Sequence, residues 1–547
     1  MNDRIDTLFV GGSVFHPGAA SPVLADVAVT DGRIAAVAGA GELRDLTVAA
    51  TDVVDLTGRL VIPGFQDAHV HPVMGGMAML QCELHGTSSA QECLDIVAEY
   101  AANHPHNEWI VGGGWSMEFF PGGTPTRAAL DSVVSDRPVY LTNRDGHGTW
   151  VNTRALELAG VDASTPDPAD GRIEREPDGT PSGTLHEGAE SLVGRLLPET
   201  GAEELLAGLL KGQELLLSLG ITSWQDAAVG GLFGGSDILP IYLEAARSGA
   251  LTARVIGALW WERDRGADQI PDLLHRRAEG RVGRFAATSV KIMQDGVAEN
   301  FTAGMLEPYL DECGHASTNA GLSFVDPTQL REHVIRLDAE GFQVHFHALG
   351  DRAVREALDA IEAARDANGP TNGRHHLAHL QVVHPDDIPR FAQLGAVANI
   401  QPLWAAHEPQ MDELTIPFLG DRRASWQYPF GDLLRSGATL AAGSDWSVSS
   451  PDPIMGIHVA VNRVAPFTDN QPLYAHNRIT LAEALTAYTA GSAYVNHHDD
   501  VTGRLEAGYL ADLAVLDRDP FATPPEEIAQ TRVVSTYVEG ELVYQAD

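Results

Sequence analysis

Gly64-Phe65-Gln66-Asp67-Ala68-His69-Val70-His71-Pro72 is the stretch from which the architecture can be read. It follows the apolar run Arg59-Leu60-Val61-Ile62-Pro63, so the sequence predicts a strand near 61–71 that a proline stops. Residues i and i+2 of a strand share a face. His69 and His71 therefore stand side by side at the strand's C-terminal end. Zinc takes neutral imidazole nitrogen at about 2.0–2.1 Å, and two neighbouring imidazoles suit it. A lone His-x-His is also met as a satisfied pair in a core, so the rest of the chain has to decide.

Further short apolar runs end in the same way. They are Phe342-Gln343-Val344-His345-Phe346-His347, His375-His376-Leu377-Ala378-His379 and Thr439-Leu440-Ala441-Ala442-Gly443-Ser444-Asp445. A fourth, Ser289-Val290-Lys291-Ile292-Met293, carries a lysine. The chain has 36 basic residues, yet its only lysines are Lys211 and Lys291. An amine in a buried strand is costly unless neutralised, paired or used, and Lys, unlike Arg, can lose its proton. An ordinary lysine snorkelling from a strand end is the competing reading. His-x-His, Lys, His, His and Asp in order, each closing a strand, tip the balance toward a shared site.

Eight candidate strands lie near 61–71, 220–227, 251–259, 287–295, 342–348, 374–381, 395–401 and 438–445. Helix-like segments such as 202–219 and 353–364 separate most of them. Alternating strands and helices imply a parallel sheet, and eight of them a (β/α)8 TIM barrel, with chemistry at the strand C-termini. The span 75–195 is too long for one crossover and forms an insert after the first barrel strand. It holds strand-like Trp109-Ile110-Val111 and Pro138-Val139-Tyr140-Leu141. Both ends of the chain, 1–63 and 500–547, read as short strands and turns. Asp31-Gly32 and Glu539-Gly540 mark hairpins there. The two ends together make one small β-domain beside a barrel over 64–499.

The formal charge of −39 argues against nucleic acid and anionic membrane as partners. Cys82, Cys93 and Cys313 form no disulfide framework, and an odd number suits reduced thiols in a cytoplasm. Met1-Asn2-Asp3-Arg4 opens no signal peptide, and no stretch approaches a membrane span.

The ordered clusters resemble the amidohydrolase superfamily, in particular its large-insert YtcJ-like or amidohydrolase-3 branch. The matching residues are Gly64 to His71, Val290-Lys291-Ile292 through Asp295-Gly296, His347-Ala348-Leu349-Gly350-Asp351, Ala378-His379-Leu380-Gln381 and Gly443-Ser444-Asp445. Leu306-Glu307-Pro308-Tyr309 and, in the insert, Asp145-Gly146-His147 also match. Two departures stand out: Ala378 where the branch often has Glu, and Trp446-Ser447 where it commonly has Phe-Pro.

The resemblance implies that the terminal strands form a composite β-sandwich. It implies two zinc ions per chain, although other divalent metals fit the same donors. His69, His71 and Asp445 would hold one, and His347 and His379 the other. Lys291, carboxylated by carbon dioxide, would bridge them. Two metals about 3.5–4 Å apart would then share a hydroxide. Asp445 would carry its proton to the leaving nitrogen of a small N-substituted amide. N-substituted formamide deformylases are among such relatives.

His345 competes with His347 for the metal; it is assigned beside the ligands rather than among them. Asp351 either orients a ligand or caps the next helix. His375 and His376 read as structural or rim residues. His147, Trp115, Phe119 and Trp446 are candidate substrate contacts. An ester or lactone hydrolase and a non-catalytic metal-binding barrel are the other functions weighed, and a homodimer is compatible with the sequence.

Overall fold

The computed structural model describes residues 5–231 and 236–546. Met1-Asn2-Asp3-Arg4 lies outside the described residues. Eight parallel strands form the barrel of the central sheet, to which the short Arg281–Val282 adds a ninth, antiparallel strand. They are β1 (Phe65–Val70), β2 (Ile221–Val229), β3 (Arg254–Trp260), β4 (Phe285–Met293), β5 (Gln343–Ala348), β6 (His376–His379), β7 (Val397–Ile400) and β8 (Thr439–Ala442). Each pairs with its successor, as a TIM barrel requires.

The chain just past β8 closes the ring on β1. The Asp445 amide donates to the His69 carbonyl (2.8 Å), and the buried Asp67 carboxylate accepts both Ser444 N–H and Ser444 Oγ–H. Gly443 sits in this seam, where a Cβ would lie 2.6 Å from the His69 nitrogen.

Helices cover the barrel because their apolar residues recur on one face. In Asp351–Asn368, Val354, Leu358 and Ile361 are buried at helical spacing. Each such side chain contributes about 1.5–3 kcal/mol of burial. Pro327–Ala339 starts where Asp326 accepts the Thr328 and Gln329 amides, with proline in its first turn.

The run expected as one strand near 61–71 is two. Leu60–Pro63 joins the terminal sheet, antiparallel to Leu513–Leu516, and the barrel strand starts at Phe65. The break falls at Gly64, where a Cβ would sit 2.3 Å from Thr222 Oγ1. The terminal sheet has eight strands drawn from both chain ends. Its hairpins turn at Asp31-Gly32 (φ 49° and 73°) and Glu539-Gly540 (φ 49° and 75°). Its halves face each other across a buried cluster in which Phe9 meets Tyr537 edge to face at 5.0 Å.

The insert carries a separate six-stranded sheet. Besides the two expected strands it contains Cys82–Glu83, Gly148–Val151, Gly171–Arg175 and Pro181–Glu187. No helix among the described residues is long and apolar enough to cross a membrane.

Candidate metal centre and active site

The barrel register brings the chemistry to one end. Lys291 lies opposite His345, Met293 opposite His347, and Ala348 opposite His379. Asp445 is the hub. Its Oδ1 is 3.2 Å from His69 Nε2 and 3.1 Å from His71 Nε2, and its Oδ2 is 3.7 Å from His379 Nδ1. The donor atoms of His69, His379 and Asp445 all fall within 4.8 Å of one another. His379 (φ 81°) and Asp445 (φ 55°) hold left-handed backbone conformations, each costing about 1–3 kcal/mol. Such strain is tolerated where surrounding structure over-determines it.

These residues fit a metal. His69 Nε2, both ring nitrogens of His379 and Asp445 Oδ1 are buried without a hydrogen-bond partner. An unpaired buried polar atom costs about 1–3 kcal/mol, so several converging on one point call for a shared ligand. Burial, aided by Lys291, pulls His69 down to about 3; burial also holds His347 and His379 well below the usual range. Burial alone would raise Asp445, but the surrounding imidazoles keep it well below the usual carboxylate range. Neutral imidazoles around an ionised carboxylate are a zinc-type donor set. Lys291 is 3% exposed, and burial, opposed by Asp445, brings its amine down to about 7.

The residues around the ligands fix their tautomers. Gln225 Nε2 donates to Gln343 Oε1 (3.2 Å) and Asn496 Oδ1 (3.0 Å), so Gln225 Oε1 is an acceptor. It takes the Nδ1–H of His345 (2.7 Å) and the Nε2–H of His376 (3.0 Å). His345 Nε2 is then left as a lone pair facing His69 Nδ1 at 2.8 Å. His69 must donate from Nδ1, which frees its Nε2 toward Asp445. His345 thus lies behind His69, and His376 is fully buried in the barrel interior, not at a rim. His375 serves the fold: its Nδ1 accepts the Val344 amide and its Nε2 meets Asp338 at 3.1 Å.

Asp351 does not orient a ligand. Its Oδ1 accepts the Leu306 amide at 2.8 Å. The orienting carboxylate is Asp295, which meets His347 Nδ1 at 3.3 Å and accepts the Leu349, Gly350 and Gly304 amides. The sequence signal for it was Asp295-Gly296 at the end of the lysine strand.

A cavity of 350 Å³ opens over His347, His379 and Asp445. Two expected substrate contacts line it, His147 and Trp446. Glu187 grips His147 Nδ1 with both carboxylate oxygens (3.0 and 3.1 Å), and the His147 and His347 rings lie 5.4 Å apart. Burial opposes a charge on His147, but Glu187 outweighs it and lifts the imidazole to about 9.

Trp115 and Phe119 are not in the cavity. Trp115 is fully buried in the insert core against Phe120 and Trp150, and Phe119 packs on the same cluster. Beside Trp446, the cavity is lined by Trp404, stacked on His379 at 5.3 Å and 4°, and by Tyr428. No local sequence feature marked Trp404 or Tyr428.

Residues 52–544 match the model of the amidohydrolase family. The chain is 31% identical to the putative amidohydrolase YtcJ of Bacillus subtilis, over 90% of this chain and 91% of that protein. It is 27% identical to the N-substituted formamide deformylase of Arthrobacter pascens, over 100% and 99%. A solved uncharacterized metal-dependent hydrolase of Pyrococcus furiosus superposes with a TM-score of 0.71 at 26% identity, covering 94% of this chain and 99% of that one. With the strand-end donor set in place, these likenesses make the chain a member of the amidohydrolase family of metal-dependent hydrolases.

Proposed function

We propose that the protein hydrolyses the C–N bond of a small N-substituted amide. The observation that carries this reading is the convergence of the partnerless, neutral imidazole nitrogens of His69 and His379 on one ionised carboxylate, which lines the cavity. His69, His71, His347, His379 and Asp445 would hold zinc, and Lys291, as a carbamate, would complete the set. Bound metal would polarise the substrate carbonyl and lower the pKa of water.

The chain's own residues do the rest. Asp445 is ionised and so can accept a proton at its carboxylate, then return it to the leaving nitrogen. Asp295 holds the His347 ring and His345 the His69 ring, so neither reorganises during turnover. Trp404 and Trp446 give the cavity apolar wall beside these ligands. The named activity of the Arthrobacter pascens relative makes formamides the first substrates to try.

The test compares kcat/KM for matched amides and esters on zinc-loaded protein. Turnover of amides at enzymic rates supports the reading; ester turnover with amides at background transfers the site to ester hydrolysis. Asp445→Asn should lower kcat about a hundredfold or more. Elemental analysis should find about two ions per chain.

A further inference from the structure

One wall of the cavity has no role in the chemistry above. Arg144 is the single Lys or Arg lining the cavity among the described residues, and it is outnumbered by carboxylates. Asp145 and Glu408 face its guanidinium at 3.9 and 3.7 Å, and Glu118 stands behind at 3.9 Å. These separations exceed a hydrogen bond, and its close partner is the neutral Gln410 Oε1 at 2.9 Å. Glu299, on the same cavity, makes no ion pair among the described residues, although its charge reaches Arg144. It accepts Thr415 Oγ1–H at 2.8 Å and Gln381 Nε2–H at 3.4 Å.

A second feature points the same way. Gln381 is 1% exposed, lines the cavity, and spends its amide N–H groups on Glu299 and Gln427. That leaves its Oε1 buried without a partner. The wall therefore offers acceptors and negative charge in excess of its donors, which are the Arg144 guanidinium and the Gln410 amide that donates to Asp145 at 3.0 Å. Burial raises Asp145 to about 6; Arg144 opposes this and the Glu299 charge adds to it. An anionic substrate group would have to enter beside three carboxylates to reach Arg144. Apolar Val297, Leu403 and Met411 on the same cavity suit an aliphatic linker.

We propose that the substrate amide bears a cationic group, an ammonium or guanidinium on an alkyl chain, which Glu299, Asp145, Glu408 and Gln381 Oε1 receive. This rests on the amide-hydrolase reading for the other end of the molecule, and the experiment separates the two.

Three acetamides of matched length are compared on zinc-loaded protein: N-(4-aminobutyl)acetamide, N-pentylacetamide and 4-acetamidobutanoate. Affinity is read by calorimetry where no cleavage occurs, and as KM and kcat/KM where it does. The cationic amide should be preferred by about tenfold over the neutral one, and by more over the anion. Glu299→Gln should shrink the cation-to-neutral ratio several-fold. Equal affinity for the cationic and neutral amides overturns the proposal. So does preference for the anion, which would make Arg144 the reader. So does an unchanged ratio in Glu299→Gln. Preferential binding of the cation without cleavage, of the acetamide and of the matching N-(4-aminobutyl)formamide alike, would uphold this inference and reject the amide-hydrolase reading.

Discussion

His345 offers a sharp test of how the site is held. In His345→Leu the volume is roughly kept but the acceptor at 2.8 Å from His69 Nδ1 is gone. A buried N–H without a partner costs about 1–3 kcal/mol. The other end of the chain of bonds is spared, because Gln225 Oε1 keeps the Nε2–H of His376 at 3.0 Å. The larger effect falls on the metal. With nothing to hold the proton on Nδ1, His69 can carry it on Nε2, the atom 3.2 Å from Asp445. Losing an orienting partner of this kind costs about 10–100-fold in metal affinity. The assay is zinc competition against a chelator, with thermal melting of the metal-free protein as a control. His345→Gln should recover much of the affinity, since an amide oxygen can accept from Nδ1–H. His345→Asn should lose less zinc than His347→Asn. Wild-type zinc affinity in His345→Leu, or a Gln variant as poor as Leu, would refute the tautomer argument.

Lys291→Arg should be as metal-poor and inactive as Lys291→Ala, because guanidinium cannot take up carbon dioxide; an active, zinc-replete Arg enzyme would remove the carbamate bridge. Carbon dioxide adds only to the neutral amine, and burial brings the Lys291 amine from 10.5 to about 7. Bicarbonate-dependent zinc loading of the metal-free protein should therefore rise as pH passes upward through about 7; loading that does not change between pH 6 and 8 would count against it. Gly443→Ala places a Cβ 2.6 Å from the His69 nitrogen, so it should cost about 1–3 kcal/mol in a denaturant melt and weaken zinc binding together.

Strand-end chemistry was legible because it follows a local rule. His69 and His71, or His345 and His347, share a face through the two-residue period alone, and proline or glycine marks where each strand stops. The barrel followed from the same pattern repeated. Of the six insert strands, only two were visible. The strand Ile110–Trp115 runs on through Gly112, Gly113 and Gly114, beyond the expected Trp109-Ile110-Val111. They are glycine because neighbouring strands come close: a Cβ at Gly112 would lie 2.1 Å from the Cys82 carbonyl oxygen.

The relations that set ligand chemistry were not local. His69 and His345 are 276 positions apart, and Gln225 and His345 are 120 apart. A lone Gln225 in an apolar strand carries no mark of the two histidines that will need its oxygen. Asp295 and Asp351 show the limit of motif reading in another way. Both sit in matching motifs and both are buried, so composition cannot say which carboxylate meets His347. What separates them is the partner each backbone delivers. The turn after β4 aims Asp295 at the His347 ring and three amides, whereas Asp351, in the first turn of its helix, is used up by the Leu306 amide. The aromatic residues behave likewise. Trp115 and Trp404 look equivalent as residues, yet Trp115 is needed to fill the insert core. Trp404 reaches the cavity because the short turn after β7 lays it flat on His379. Assigning roles at this site therefore depends on counting hydrogen-bond donors and acceptors across the barrel. The same accounting marks the acidic wall, with its unused Gln381 oxygen, as the surface still waiting for a partner.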